Sequence, residues 1–268
     1  MSIEVRNVEA GYGGNPILRD VSMRVEEGKI CALLGRNGSG KTTLLRCLNA
    51  LLKPTRGQVY LRGQDIASLT RVEIARMVSV VPQSASSPFN YPCLEVVLMG
   101  EAARLNPWSA PGAVARQKAK GVFKQIGIEH LLDHDYNAIS GGEQQLVLLA
   151  RALFQDTPYM LLDEPNSHLD FSNQHQMMSL MRQLAKQHGI TMLITLHDPN
   201  LALYYCDEVV LMQHGSIVCL GPTLEVLTDI NLSSIYGNNI QTDHTSQGIQ
   251  VVLPKAVVKG VVKQTLAC

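Results

Sequence analysis

The eight residues Gly35-Arg36-Asn37-Gly38-Ser39-Gly40-Lys41-Thr42 constrain the fold more than any other stretch of this chain. They follow the apolar run Ile30-Cys31-Ala32-Leu33-Leu34. They precede apolar residues at helical spacing, Leu44, Leu45, Leu48, Leu51 and Leu52, closed by Pro54. A buried strand, a glycine-rich loop and a helix in that order make a phosphate-binding loop of the pattern GxxxxGK[ST]. Its glycines let backbone N–H groups turn inward on an anion, and the helix start adds a favourable dipole. In such a loop Lys41 reaches the β- and γ-phosphates and the Thr42 hydroxyl binds Mg²⁺. Gly35, Asn37, Gly38, Ser39, Gly40 and Thr43 complete the nucleotide-binding set expected here.

The flanking segments predict what the loop is built into. Ile3, Val5 and Val8, then Ile17, Val21, Met23 and Val25, alternate as strands, with turns at 11–16 and 26–29. After the loop come short strands around 57–61, a helix near Arg71–Met77, and a strand Val78–Val81 that ends at Pro82-Gln83. Residues 84–139 show helical stripes without strong strand signals and read as a mostly helical insertion. From 140 onward helices (about 143–154, 172–188 and near 200) alternate with strands (159–162, 190–196, 209–212). Strands alternating with helices predict a mainly parallel α/β sheet. The last 40 or so residues read as short strands and a helix, and Lys255–Cys268 as a loose tail.

Composition removes several classes of function. Hydrophobic residues make up 46% and charged residues 17%, which disfavours disorder. Lys+Arg equals Asp+Glu at 23 each, so no global basic field points to a nucleic acid partner. The six cysteines are dispersed without CxxC or other metal spacing, as expected of buried thiols in a reducing compartment. The N-terminus lacks a secretion signal, and no apolar run approaches the roughly 18 residues of a membrane span. The expectation is a soluble, cytoplasmic chain that works at a membrane only through a partner.

Three further groups carry chemistry. Asp163 ends the apolar strand Leu161-Leu162, where a carboxylate can complete a Mg²⁺ shell, and Glu164 beside it suits polarising an attacking water as general base. Ser140-Gly141-Gly142 opens a helix, so its amides and dipole point outward, ready for an anion. Taken alone, that turn would be an ordinary capped helix start. His130 and His134, with Asp133 and Asp135 nearby, read as a polar connecting segment rather than a metal site, and Trp108 as a lid on the helical insertion.

What decides between these readings is the ensemble. Gln83 after a strand comes first, then Ser140-Gly141-Gly142-Glu143-Gln144 and Leu161-Leu162-Asp163-Glu164-Pro165. Asn166-Ser167-His168-Leu169-Asp170 follows, and last His197 after a strand. In order and spacing they resemble the ATP-binding cassette family, over nearly the whole chain from Val5 to about Gly237. The resemblance implies a P-loop NTPase, RecA-like α/β core with an N-terminal antiparallel β subdomain and the helical insertion at about 84–139. The nucleotide-binding domain would occupy 1–240, with C-terminal strands and a tail at 241–268. It implies an ATPase taking ATP and Mg²⁺, in which two copies close face to face on two nucleotides.

Residue by residue, the resemblance implies that Tyr12 stacks on adenine, and that Gln83 senses Mg²⁺ and the attacking water. Ser140, Gly141 and Gly142 would contact the γ-phosphate held by the other copy, Asp170 would couple the two sites, and His197 would touch the γ-phosphate. Two departures stand out: Ile139 replaces the family's usual Leu before the serine, and Glu143 replaces its Gln. Asn90 to Gly100, Asn166 to Asp170 and Ile235-Tyr236-Gly237 further resemble importers of iron chelates, haem and corrinoids, although Met99-Gly100 runs on here into Glu101-Ala102-Ala103. The expected partners are a multi-span permease at the cytoplasmic face of the membrane and, indirectly, an external substrate-binding protein. An exporter subunit would differ in partner rather than chemistry. A soluble ATP-driven clamp would usually carry a long coiled coil or two cassettes, and this chain has neither.

Overall fold

The computed structural model describes residues 2–83, 89–106, 109–167 and 169–255. Trp108, His168 and the tail beyond Lys255, singled out above, lie outside them. β1 (Ser2–Tyr12) and β2 (Asn15–Glu26) form an antiparallel pair, and β3 (Ile30–Leu34) leads into the phosphate loop and α1 (Lys41–Leu48). β4 (Arg56–Leu61), β5 (Gln64–Asp65), α2 (Arg71–Met77) and β6 (Val78–Val81) follow. The insertion supplies α3 (Cys93–Leu98) and α4 (Ala113–Ile126), as its helical stripes predict. Then come α5 (Gly141–Phe154), β7 (Tyr159–Asp163), α6 (Phe171–His188), β8 (Thr191–Leu196), α7 (Pro199–Tyr205) and β9 (Glu208–Gln213). β10 (Ser216–Pro222), α8 (Thr223–Val226), α9 (Asp229–Tyr236), β11 (Ile240–His244) and β12 (Gln250–Pro254) close the described chain.

Two main sheets result. One is antiparallel in the order β2-β1-β4-β5. The other runs β10-β9-β3-β8-β7-β6 and is parallel except at β10. β3 sits inside the second sheet between β8 and β9, and all five of its residues are buried. Period-two alternation divides those residues between two cores. Ile30, Ala32 and Leu34 face the core built with α3 to α6; Cys31 and Leu33 face the core under the antiparallel sheet, with Leu44, Leu45 and Leu48 of α1. The loop between β3 and α1 is therefore anchored on both sides by close-packed side chains.

α1 ends earlier than its leucine stripe suggests. Ala50 adopts a left-handed φ of 56°, and the Leu52 N–H bonds back to the Arg46 carbonyl at 2.9 Å, a helix-ending pattern that usually uses glycine. Leu44 and Leu48 remain core residues as expected, but Leu51 is thrown out of the helical register and left 65% exposed.

Cys31, Cys47, Cys93 and Cys206 are buried free thiols and Cys219 is half-buried. Burial pushes the Cys47 and Cys93 thiols up to about 11 and that of Cys206 to about 12.

Candidate functional site

Four chain segments leave the carboxyl edge of the parallel sheet within the same region: Gly35 after β3, Gln83 after β6, Asp163-Glu164 at the end of β7 and His197 after β8. The carboxyl edge of an open α/β sheet is where ligands bind. A cavity of about 440 Å³ opens there, lined by Asn37 to Thr43, Gln83, Glu164, His197 and Ile17.

The loop is shaped for close backbone approach. Gly40 takes a left-handed φ of 103°, and a Cβ there would fall 2.8 Å from Leu18 Cδ2. A Cβ on Gly35 would fall 2.4 Å from the Met212 carbonyl oxygen, a clash with backbone that cannot easily yield. The Ser39 hydroxyl is buried with no hydrogen-bond partner. Lys41 is only 5% exposed, and its ammonium donates to the Gly35 carbonyl at 2.9 Å. Burial lowers its pKa, while the Glu164 and Asp163 carboxylates pull it back up. A buried cation and an orphaned hydroxyl together fit a polyanion.

The two carboxylates of the acidic pair have different partners. Asp163 Oδ1 accepts from the Thr42 hydroxyl at 3.2 Å and from the Thr195 hydroxyl at 2.9 Å. Glu164 has a left-handed φ of 49°, which costs a non-glycine residue roughly 1 kcal/mol or more and is common at functional sites. Its N–H is secured by Thr195 Oγ1 at 2.7 Å. Gln83 Nε2 donates to Glu164 Oε2 at 3.0 Å. His197 Nε2 lies 2.7 Å from Glu164 Oε1. Gln83 is held in turn by Gln145, whose side-chain amide donates to the Gln83 carbonyl.

Thr195 was not singled out from sequence, and Gln145, which ends the stretch Ile139 to Gln145, was given no role of its own. Thr195 lies two residues before His197 on a strand of uniformly buried residues, and Gln145 lies inside the helix after the Ser-Gly-Gly turn. Neither position has a local pattern that marks it.

Oxygen donors meet where a divalent cation is expected. Thr42 Oγ1 and Asp163 Oδ1 are in contact, and hard oxygens suit Mg²⁺. Among the described residues no group of three or more His, Cys, Asp or Glu could hold a metal by itself. Donors so few fit an ion that takes most of its ligands from phosphate and water. His130 and His134 form no such cluster.

Tyr12 sits at the end of β1, 41% exposed, its hydroxyl accepting from Arg46 Nη1 of α1 at 2.8 Å. It is outside the lining of the phosphate cavity. Ser140, Gly141 and Gly142 open α5, and Asp170 caps α6, its Oδ1 accepting from the Asn173 N–H at 2.9 Å. Ser140 and Gly142 line a different, larger cavity of about 510 Å³ with Glu143, Leu169, Asn173 and Met177; it shares no lining residue with the phosphate cavity.

Glu143 is structurally employed. Ser140 Oγ accepts from the Glu143 N–H at 3.4 Å, while Glu143 Oε2 accepts from the Ser140 N–H at 2.9 Å and its hydroxyl at 2.6 Å. This reciprocal arrangement is a capping box, which holds the carboxyl pKa below its usual range through the Ser140 side chain first and the Ser140 backbone second.

Comparison with known proteins agrees with this geometry. The family model described as ABC transporter matches residues 18–167. The chain is 40% identical over 245 residues to the hemin import ATP-binding protein HmuV of Bordetella pertussis, covering 88% of this chain and 92% of that one. It is 37% identical over 242 residues to a Helicobacter pylori protein named "Probable iron chelatin transport ATP-binding protein", covering 90% and 95%. A transporter assigned to the metal-chelate type, solved in an inward-facing conformation, contains a chain with a TM-score of 0.84 and 29% identity, covering 96% of this chain and 98% of that one. The phosphate loop, the acidic strand end and the helix opened by Ser140 therefore belong to one inherited machine, and the chain is a member of the ABC transporter family, an ATP-binding subunit with ATPase activity.

Proposed function

We propose that this chain is the ATP-hydrolysing subunit of a membrane importer for an iron chelate, haem, a corrinoid or a related metal complex. Two copies close on two ATP molecules at the cytoplasmic face of the membrane and drive a multi-span permease, which receives cargo from an external binding protein. No described helix is long and apolar enough to cross a membrane, in keeping with a separate permease. The cargo class rests on the relatives, whose names specify hemin import and iron chelatin transport; nothing comparable favours an exporter or a soluble clamp.

The observation that carries the dimeric reading is the separation of the Ser140 cavity from the phosphate cavity. The two anion-seeking helix starts of one chain open into different spaces. A second copy, presented face to face, lets each phosphate loop meet the other's Ser140-Gly141-Gly142.

Within each half, Lys41 and the amides of Gly35 to Thr43 hold the phosphates, and Tyr12 provides the ring for adenine. Thr42, Asp163 and Gln83 would hold Mg²⁺, which supplies charge neutralisation on the phosphates. Glu164 takes a proton from the attacking water as its oxygen bonds to the γ-phosphorus and the bond to ADP breaks. His197 contacts the γ-phosphate, and Gln83 and His197 hold Glu164 in line by the contacts described above. Asp170, capping α6, couples one site to the other across the dimer. Closure is driven by contacts to ATP made only in the closed state.

Glu143 tempers that closure, because its carboxylate engages the hydroxyl that must turn to the partner's γ-phosphate. Removing one like charge about 4 Å from a phosphate in water is worth about 1 kcal/mol, roughly fivefold. Glu143→Gln is therefore expected to lower, by about that factor, the ATP concentration at which half the chain sediments as dimer. An unchanged or higher midpoint refutes the tempering role. The functional reading itself is tested by purifying the chain from native membranes. It should arrive with a multi-span membrane protein; recovery with DNA or ribosomes would favour the clamp instead.

A further inference from the structure

The C-terminal unit formed by α9 and the β11–β12 hairpin touches the site from behind at two points. Internally it is well fastened. Asp229 Oδ1 accepts from the Thr242 hydroxyl at 2.7 Å and from its N–H, and Gln250 Nε2 donates to the Leu227 carbonyl at 2.7 Å. Leu232, Ile235 and Val252 are buried in the larger core.

The first contact is at α7, the helix that begins just after His197. Asn200, at its second position, accepts the Val252 N–H at 2.8 Å and donates its own amide to the Val252 carbonyl at 3.1 Å. One side chain thus satisfies both backbone groups of a β12 residue, as a neighbouring strand would. The Asn200 N–H in turn bonds to Asp198 Oδ1 at 2.8 Å, so the pairing reaches the residue after His197.

The second contact is at the far end of β9. Gln213 Nε2 donates to the Ser234 carbonyl of α9 at 2.8 Å. Two residues on, the Gly215 N–H donates to the Ser39 carbonyl of the phosphate loop at 3.1 Å. Gln213 also lines a small cavity of about 240 Å³ with Arg36 to Ser39. Between the two contacts lies Tyr236, whose buried hydroxyl makes no hydrogen bond. Burial pushes it up to about 12, with Asp198 adding to the shift and the Gly35 backbone opposing it.

We infer that the C-terminal unit is a positioning element of the ATPase site, with Asn200 fixing the His197 loop through β12 and Gln213 fixing the phosphate loop through α9. The inference rests on the reading that His197 acts on the γ-phosphate. Its two arms act on different steps. The phosphate loop binds nucleotide whether or not hydrolysis follows, whereas His197 matters when the γ-phosphate is transferred. Reacting groups misplaced by 1 Å can lose about 100-fold in rate.

The test measures kcat and KM for Mg-ATP in the full-length chain, at concentrations that support its own hydrolysis, with thermal midpoints recorded in parallel. Asn200→Ala is expected to lower kcat about tenfold with KM within twofold. Gln213→Ala is expected to raise KM about threefold with kcat within twofold. A kcat in Asn200→Ala equal to that of the unaltered chain overturns the inference, as does a loss in both variants that merely tracks the folded fraction. Should Asn200→Ala fail to fold, Asn200→Asp, which keeps the acceptor for the Val252 N–H, decides it: kcat should fall two- to fivefold, and an unchanged kcat overturns it. His197→Ala separates the two levels. If it still turns over, the underlying reading fails; if it is inactive while Asn200→Ala is not slowed, this inference alone fails.

Discussion

Glu164→Gln should bind ATP about as well as the unaltered chain and hydrolyse it roughly 100- to 10,000-fold more slowly, the range for losing a positioned general base. The expectation follows from how the carboxylate is held. Gln83 Nε2 and His197 Nε2 address one oxygen each, and the backbone kink at Glu164 is secured by Thr195. A glutamine of the same shape keeps one acceptor in that clamp and loses the basicity. In the proposed site the phosphates are held by Lys41 and the loop amides, which the substitution leaves in place, so affinity should be preserved. With hydrolysis stalled, the contacts that close the two copies persist, and the variant should accumulate as an ATP-bound dimer on a sizing column. Turnover that is not diminished would show that some other group takes the proton.

Lys41→Ala should do the opposite, losing the nucleotide before chemistry begins. Hydrogen bonds to charged groups are worth about 1.5–3 kcal/mol each, so loss of one phosphate contact weakens binding between roughly 10- and 150-fold. Calorimetry with a non-hydrolysable ATP analogue reads this directly; affinity within threefold of the unaltered chain would remove Lys41 from the phosphate site. Stability without nucleotide should behave differently. Burial disfavours the ammonium in the folded chain and lowers its pKa from 10.5. A group whose folded pKa is depressed in this direction binds fewer protons when folded, so its contribution to stability rises as pH climbs from the depressed value toward 10.5. Lys41→Ala lacks that rise. Thermal melts across this window should find the unaltered chain gaining on the variant as pH increases, and a constant difference would contradict the shift.

The parts of this molecule most legible in sequence are those where one local pattern settles one local structure. The uniformly apolar β3, the glycines of the loop and the lysine at the start of α1 required no knowledge of distant residues. The boundaries of α2 and β6 were equally plain, because Thr70 with Glu73 caps the helix and the valine-rich run Val78-Ser79-Val80-Val81 follows at once. α1 was less so. Its leucine spacing continues past Leu48, but the chain turns left-handed at Ala50, and alanine carries none of glycine's warning. The Ser140 and Glu143 pair fits a capping box by spacing alone. Set against a family pattern, Glu143 read instead as a departure from the usual Gln. Thr195 and Gln145 matter only because β7 and β8 lie side by side and α5 passes beneath Gln83; such long-range pairings are not written locally. The C-terminal hairpin was foreseen as short strands, but its hold on Asn200 is a contact between residues 52 positions apart.

The thiols have a practical consequence. A cysteine reacts as thiolate, and four of the five cysteines among the described residues are buried. For three of these, ionisation is displaced to about 11 or 12, far above neutral pH. Maleimide or spin-label reagents applied at neutral pH therefore meet a background that is largely silent. With Cys219 and Cys268 replaced by serine, a single cysteine placed at an exposed position away from both cavities, such as Lys186, would carry a probe on one defined spot. If two copies pair as proposed, a label on each becomes a molecular ruler, reporting in real time how far apart the halves stand as fuel is added and spent.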